Sequence, residues 1–385
     1  MDIMAQESRH TSGVYYKRDV AIVRGEGALV WDQDGRAYID CVGGHGVAIV
    51  GHCNPDVVAA VQRQAERLIT CPEVFYNDVR AELLAELAAV APHDLDRAYL
   101  CSSGTEAVEA AIKFARITTG RIGVVATKHG FHGRTLGALS ATWEPKYRRG
   151  YEPLVPGFAH VAYNDVDELT AAVTEETAAV ILELVQGEGG VNPATQEFAE
   201  AARRVCDDAG AMLIVDEVQT GLGRTGAMFA CQRYGIQPDL MAIAKALAGG
   251  LPMGATLLSP RVSGLSAGVH GSTFGGNPLC AAAALATLRY ITSHDLPARA
   301  AALGQHALER LGAIDNILIK EVRGLGLMIG IDLRKRSTPY LKALMDRGVM
   351  ALPAGSTVLR LLPPLVITEE QLDTVCDAVA EVLAS

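Results

Sequence analysis

Residues 211–250 read AMLIVDEVQTGLGRTGAMFACQRYGIQPDLMAIAKALAGG, with one apolar run ending in Asp216 and a second ending at Lys245. The first run is short, apolar and β-branched, and the polar DEVQT and glycines after it mark a buried strand delivering side chains to a loop. DLMAIA repeats the pattern and delivers a lysine. A lysine placed where an apolar strand gives way to a glycine-rich turn is desolvated, which lowers its pKa and frees the neutral amine for a Schiff base. An aspartate at a neighbouring strand tip is the group that a protonated pyridine nitrogen needs. Taken alone, the pair reads more simply as a turn cap and a strand-end surface lysine, because structural ion pairs share this pattern.

The same stretch holds a competing motif. Gly221, Gly223 and Gly226, with Arg224 and Thr225, spell G-x-G-x-x-G. The dinucleotide fingerprint needs its glycines directly between a strand and its helix, and an acid at the end of the next strand. Here Asp216 and Glu217 would face the pyrophosphate, and the candidate ribose acid, Asp239, precedes its strand. Nicotinamide or flavin binding therefore ranks below pyridoxal chemistry.

Outside this stretch, 385 residues at 49% hydrophobic composition suffice for a large core and suggest two domains, or one with an appendage. Acidic residues outnumber basic ones 44 to 34, a net charge of -10 that argues against nucleic acid as the main partner. The N-terminal MDIMAQESRHTSGVYYKRD lacks the apolar core of a signal peptide, and no run approaches a membrane span, so a cytoplasmic protein is expected. The eight cysteines form no C-x-x-C pair and are expected to be buried thiols. His45, His52 and Cys53 lie among glycines that fix no common face, and without a third convergent ligand no metal is expected.

Residues 20–50 alternate short β-type runs with turns, and D-Q-D-G at 32–35 signals a hairpin. Helices are expected over 55–70 and 78–91, capped by Asn54 and Asn77. From residue 97 the pattern changes to seven short apolar runs separated by helical stretches: RAYLCS, IGVVAT, FAHVAY, AAVILEL, AMLIVD, DLMAIA and MGATLLS. That spacing predicts an α/β fold with a largely parallel sheet covered on both faces, whose ligands sit beyond the carboxyl ends of the strands.

The candidate residues fall at those ends. Ser103, Gly104 and Thr105 open a helix in SSGTEAVEAAIKFAR, where free amides and the dipole suit a phosphate, although an ordinary serine or threonine cap explains them singly. On this helix Glu109 is expected to pair with Lys113 one turn later. In FHGRT, Phe131 offers a face to an aromatic ring and Arg134 a fork to a carboxylate. LELVQGEGG carries Glu183 and Glu188, and VHGSTFGGNPL places Ser272 and Thr273 before an alanine-rich helix.

In order, SSGTEAVEAAIKFAR, FHGRT, LELVQGEGG, DEVQTGLGRTG, AIAKALAGG and GSTFGGNPL resemble the class III pyridoxal-phosphate aminotransferases, over nearly the whole chain. FHGRT and QGEGG resemble the acetylornithine aminotransferase group. The segment 13–52, WEPKYR and VLRLLPPLVIT resemble most the branch that makes lysine on an amino-group carrier protein, LysW. The resemblance implies a type I fold: a large domain over 51–285 with a seven-stranded, mostly parallel sheet, and a small α+β domain from 1–50 and 286–385. It also implies a homodimer with active sites at the interface.

By motif, the resemblance implies that Lys245 holds pyridoxal 5'-phosphate and that Asp216 keeps its pyridine nitrogen protonated. Gln219 would bond the ring hydroxyl, Val218 and Phe131 would sandwich the ring, and Gly104 and Thr105, with Ser103 before them, would bind the phosphate. Thr273 would complete that site from the partner subunit. Arg134 would bind a substrate carboxylate, and Arg360 in VLRLLPP the α-carboxylate of glutamate, masked by Glu188 when the other donor binds. Ser272 would touch that other substrate. The reaction implied is ping-pong transfer of an ω-amino group, with glutamate and 2-oxoglutarate in one half-reaction. The other would use carrier-bound lysine, or acetylornithine as the alternative, with Lys245 as the proton-moving base. Two positions depart from the family pattern: Val108 stands for its asparagine, and Leu184 for the proline of its E-P-[IV]-Q form, here Glu183, Leu184, Val185 and Gln186. A pyridoxal mutase or decarboxylase would not need both arginines, and a non-catalytic scaffold would need neither Lys245 nor Asp216.

Overall fold

The computed structural model describes residues 2–92 and 94–384. Near the N-terminus, β1 (Ile22–Glu26), β2 (Leu29–Asp32) and β3 (Ala37–Asp40) form an antiparallel meander. The D-Q-D-G segment makes the β2–β3 turn, where the Asp32 carboxylate accepts the backbone N–H of Asp34 and Arg36. Helices Pro55–Ala65 and Asp78–Val90 follow, capped by the Asn54 and Asn77 side chains as expected; the first ends five residues early.

All seven apolar runs form one sheet. Its strands are β4 (Arg97–Cys101), β5 (Gly123–Thr127), β6 (Phe158–Val161), β7 (Thr177–Leu182), then, after the two-residue pair β8 (Val185–Gln186) and β9 (Asn192–Pro193), β10 (Met212–Asp216), β11 (Leu240–Ile243) and β12 (Gly254–Leu258). The order is β4-β12-β11-β10-β7-β5-β6, and β12 alone runs against the rest. Strands β7, β10, β11 and β12 are buried along their whole length, so hydrophobicity there does not alternate. The faces alternate nonetheless. Ala179, Ile181, Ile214 and Ala242 pack with Ala107, Ala111 and Phe114 of helix Gly104–Thr119, whereas Val180, Leu182, Leu213, Val215 and Ile243 turn to the larger core.

The C-terminal part contributes β13 (Ile319–Leu325), β14 (Met328–Leu333), β15 (Val349–Met350), β16 (Leu352–Ala354) and β17 (Val358–Leu361). Strand β15 joins the N-terminal meander by pairing in parallel with β3, and the others form a sheet in the order β13-β14-β17-β16. Helix Pro278–Ser293 runs unbroken, and the chain turns after it at His294 and Asp295, the latter at φ +44°. No helix among the described residues is long and apolar enough to cross a membrane.

Two local expectations are corrected. Glu109 does not pair with Lys113: its carboxylate accepts from the Thr135 hydroxyl and the amides of Gly137 and Ala138, while Lys113 Nζ lies 2.9 Å from His270. Three amide and hydroxyl donors on one carboxylate outweigh an exposed i,i+4 ion pair of a few tenths of a kcal/mol. The cysteines are free but not all buried, since Cys53 is exposed and Cys71 and Cys280 are half-buried.

Candidate active site

The site is assembled at the carboxyl ends of the parallel strands. Strand register puts Asp216 opposite Ala242, three residues before Lys245, so the two apolar runs deliver their polar tips side by side. Asp216 is buried; Oδ1 accepts the Val218 N–H at 3.0 Å and Oδ2 lies 2.8 Å from His132 Nδ1. A carboxylate only accepts, so Nδ1 carries the hydrogen. Burial works against an imidazolium at His132, but the bond to Asp216, that residue's charge and Glu183 together raise its proton affinity above the ordinary histidine value. His132 Nε2 is buried without a hydrogen-bond partner among the described residues.

Glu183 follows β7 directly and accepts the N–H of Phe131 and of Gly187, each at 3.0 Å. Burial pushes its pKa up to about 7. Its carboxylate thereby ties the FHGRT loop to the QGEGG loop.

Lys245 begins a short 3-10 turn at φ +40° and is half-buried. Its amine makes no hydrogen bond or ion pair with any described residue. Burial lowers its proton affinity, with Glu188 acting against that and Arg360 adding to it. The result favours a neutral, nucleophilic amine.

At the start of helix Gly104–Thr119, the Ser103 hydroxyl caps the helix, 3.3 Å from the Glu106 N–H and 2.8 Å from the Glu106 carboxylate. The amides of Gly104 and Thr105 find no acceptor among the described residues, and they point an N-terminal dipole outward. A Cβ on Gly104 would lie 2.8 Å from Val218 Cγ1 and 3.4 Å from Ala244 Cβ, which places this helix end against both Val218 and the residue before Lys245. Gly133 of FHGRT packs on the Thr105 side chain, and the Thr105 and Thr135 hydroxyls are 2.8 Å apart. Phe131 meets the edge of Tyr147, with ring centroids 5.5 Å apart.

Arg360, on β17, is 1% exposed, and its Nη2 lies 2.7 Å from Glu188 Oε1. Nη1 donates to Gln219 Oε1 at 3.3 Å, and Nε has no hydrogen-bond partner among the described residues. Burial alone would raise the Glu188 pKa, yet Arg360 and then Lys245 outweigh it and hold the carboxyl below its ordinary value. Gln219 fits only because Gly187 has no side chain to strike its amide. Arg134 is exposed, its guanidinium 3.9 Å from the Tyr147 ring centroid and 5.6 Å from that of Phe131. Ser272 is half-buried and Thr273 exposed, and neither hydrogen-bonds to the rest of the set.

These groups suit pyridoxal phosphate on the chemistry of the donors alone. Free helix amides answer a phosphate, Val218 and Phe131 offer apolar faces, Asp216 offers a buried carboxylate and Lys245 an unpaired amine. Sequence reading did not anticipate His132 as the partner of Asp216, nor the two amide bonds of Glu183. A signal existed for each: His132 stands next to Phe131 in FHGRT, and Glu183 is a carboxylate that ends a run of apolar residues.

Comparison with known proteins agrees with this geometry. The chain matches the family model for aminotransferase class-III over residues 12–383. It is 53% identical over 384 residues to a [LysW]-aminoadipate semialdehyde transaminase of Deinococcus radiodurans, covering 99% of this chain and 90% of that protein. It is 45% identical over 386 residues to an acetylornithine aminotransferase of Methanopyrus kandleri, covering 100% and 99%. Among solved structures, an ornithine aminotransferase of Toxoplasma gondii, with PLP at partial occupancy in its active site, superposes with a TM-score of 0.93 at 33% identity, covering 99% of this chain and 93% of that one. Family model, relatives and fold coincide: the chain belongs to the class-III aminotransferases and is a pyridoxal-phosphate-dependent enzyme.

Proposed function

We propose that this aminotransferase moves a terminal amino group between a lysine held on an acidic amino-group carrier protein and the glutamate/2-oxoglutarate pair. Free acetylornithine is the alternative donor. The observation that carries the reading is the Glu188–Arg360 pair at 2.7 Å, buried on the arginine side. An arginine masked by a removable carboxylate serves two substrates: unmasked it takes a dicarboxylate, masked it presents a neutral surface to a donor that carries none at that point. The names of the two relatives support both donor readings.

Bound pyridoxal phosphate supplies an aldehyde carbon for the amine and a ring that withdraws electrons once its nitrogen is protonated. Asp216, backed by the His132 Nδ1 hydrogen bond, holds that ring proton. The Gly104 and Thr105 amides, behind the Ser103 cap, take the phosphate, and Thr273 joins them from the partner subunit. Val218 and Phe131 flank the ring and Gln219 bonds its hydroxyl. Lys245 Nζ would hold the cofactor and, when free of it, would be the base that moves the proton to and from the substrate carbon. Arg134 and Ser272 contact the amine donor.

A homodimer is part of the proposal. Val74, Phe75, Tyr76 and Phe274 are exposed large hydrophobic residues in loops, a pattern that suits burial by a second copy. So is the assignment of residues 1–50 and the C-terminal segment to one small domain, which the β3–β15 pairing supports. The test of the donor is a comparison of the half-reaction with carrier-bound lysine and with free acetylornithine. A kcat/KM at least about tenfold higher for the carrier-bound donor, some 1.4 kcal/mol in transition-state binding, is expected. The reverse preference would assign the enzyme to acetylornithine.

A further inference from the structure

Residues 43–46, GGHG, form a turn in which every residue has positive φ: +54° at Gly43, +60° at Gly44, +61° at His45 and +86° at Gly46. Three are glycines, which enter this region without penalty, and the fourth is a histidine, for which it costs about 1–2 kcal/mol. A strained non-glycine residue persists where its surroundings fix it. Here they do. The Asp40 carboxylate accepts the N–H of Val42 and Gly43 at 2.8 and 3.0 Å and lies 2.7 Å from His52 Nε2. A Cβ on Gly43 would lie 2.6 Å from the Leu362 carbonyl oxygen, two residues beyond Arg360, and one on Gly46 would lie 4.0 Å from Gln219 Cγ. The turn also packs on the one that begins with Lys245.

The backbone of His45 is thus fixed beside the turn that begins with Lys245, and its side chain is exposed and without a hydrogen-bond partner among the described residues. The groups that bear on its charge are Glu188, which favours the imidazolium, and Arg360, Lys245 and Arg18, which oppose it. With burial as the largest effect, the free enzyme lowers its proton affinity below the ordinary histidine value. While Glu188 is engaged by Arg360, the neutral form of His45 is therefore favoured more than in an ordinary histidine.

This arrangement changes when a dicarboxylate takes Arg360, a step that rests on the function proposed above. Glu188 then loses its 2.7 Å partner inside a mostly buried setting, and an unpaired buried carboxylate is expensive. We propose that His45 is a specificity-determining residue of this site, the second partner of Glu188, donating a ring N–H to its carboxylate when 2-oxoglutarate or glutamate occupies Arg360. With Arg360 neutralised by the substrate and Glu188 turned toward the ring, two changes raise the proton affinity of His45. Dicarboxylate binding is accordingly coupled to proton uptake, in the pH window between the depressed free value and the raised bound one.

The test uses the wild-type holoenzyme and the variants His45→Gly and His45→Asn, titrated by calorimetry with glutarate, a five-carbon dicarboxylate with no carbonyl or amine to react. Measurements in two buffers of different ionisation enthalpy report the protons exchanged. Both variants tolerate positive φ, so each keeps the turn; asparagine retains an N–H donor that does not titrate. The wild type is expected to take up a fraction of a proton per glutarate at pH about 6.5, the ordinary histidine value. His45→Gly should bind glutarate about tenfold more weakly, the effect of a lost charge-assisted hydrogen bond, with no proton uptake. His45→Asn should recover part of the affinity and none of the uptake. Glutarate binding by His45→Gly with wild-type affinity and wild-type proton uptake would overturn the proposal, and so would a loss of amine-donor reactivity as large as the loss of glutarate affinity. If the wild type itself neither binds glutarate nor reacts with glutamate, the role of Arg360 fails as well, which separates that outcome from a failure at His45 alone.

Discussion

At the scale of single residues, the site is a set of buried charges that depend on one another. Glu183 and His132 both bind protons more readily in the folded protein than ordinary groups of their kind, Glu183 at about 7. The sign follows for each. A carboxyl raised from about 4.3 resists ionisation that the unfolded chain accepts freely, so its contribution declines from there up to about pH 7. A histidine raised above its unfolded value stabilises below that value and loses the contribution as pH rises through the folded one. Both make the apoprotein less stable on the alkaline side. Glu183→Gln should flatten the fall in melting temperature between about pH 5 and 8, while lowering stability by about 1–3 kcal/mol at pH 5, because a glutamine cannot accept from both Phe131 and Gly187 with both of its side-chain atoms. An unchanged pH slope would show that Glu183 does not titrate in this range. Lys245 and Asp216 were legible because each ends an apolar run. His132 was not, because its partner lies 84 residues away in sequence and only the close approach of two strand ends joins them.

At the scale of elements, the seven strands could be read because strands of a largely buried, mostly parallel sheet leave apolar runs bounded by glycines and polar tips. The place of β15 was harder, since it leaves the neighbouring C-terminal sheet and pairs with β3 across about three hundred positions. The GLGRTG motif shows why a pattern needs context. Gly223 and Gly226 both have positive φ and press on other parts of the chain: Gly223 on Leu365 and Pro297, Gly226 on Ala301. Arg224 between them is buried, and its Nη1 donates to the carbonyls of Leu327 and Pro363. The motif is a clasp that fastens the C-terminal sheet, with Arg360 on it, to the loop after Asp216. Gly326→Ala should open this clasp. Its φ is +54° and the new Cβ would fall 2.5 Å from the Arg224 carbonyl oxygen, so a loss of about 2–3 kcal/mol and a fall of several degrees in melting temperature are expected. A variant as stable as the wild type would show that the two parts are not fastened there.

At the scale of the molecule, the net charge of -10 repels an acidic partner, so a carrier protein needs a local basic surface to approach. Lys146, Arg148 and Arg149 follow the FHGRT loop, and Lys146 Nζ lies 4.8 Å from the ring centroid of Tyr147, which also stacks on Arg134. Lys146 and Tyr147 line a cavity of about 410 Å³ that reaches Glu188 and Arg323, so this basic corner opens toward the site. Reversing the three charges should lower kcat/KM for carrier-bound lysine about tenfold or more at low salt, and the difference should shrink as salt rises, with acetylornithine and glutamate little affected. Equal losses for carrier-bound and free donors would remove the steering role. All of these expectations presuppose that Lys245 is where cofactor and amino group meet. The most direct measurement is the absorbance of the holoenzyme as glutamate and then 2-oxoglutarate are added, for the wild type and for Lys245→Ala. The wild type should lose its long-wavelength cofactor band with glutamate and regain it with 2-oxoglutarate. Lys245→Ala should fold and retain cofactor through the Gly104–Thr105 amides and Asp216, yet complete no cycle. A Lys245→Ala enzyme that cycles at a rate near that of the wild type would contradict the assignment.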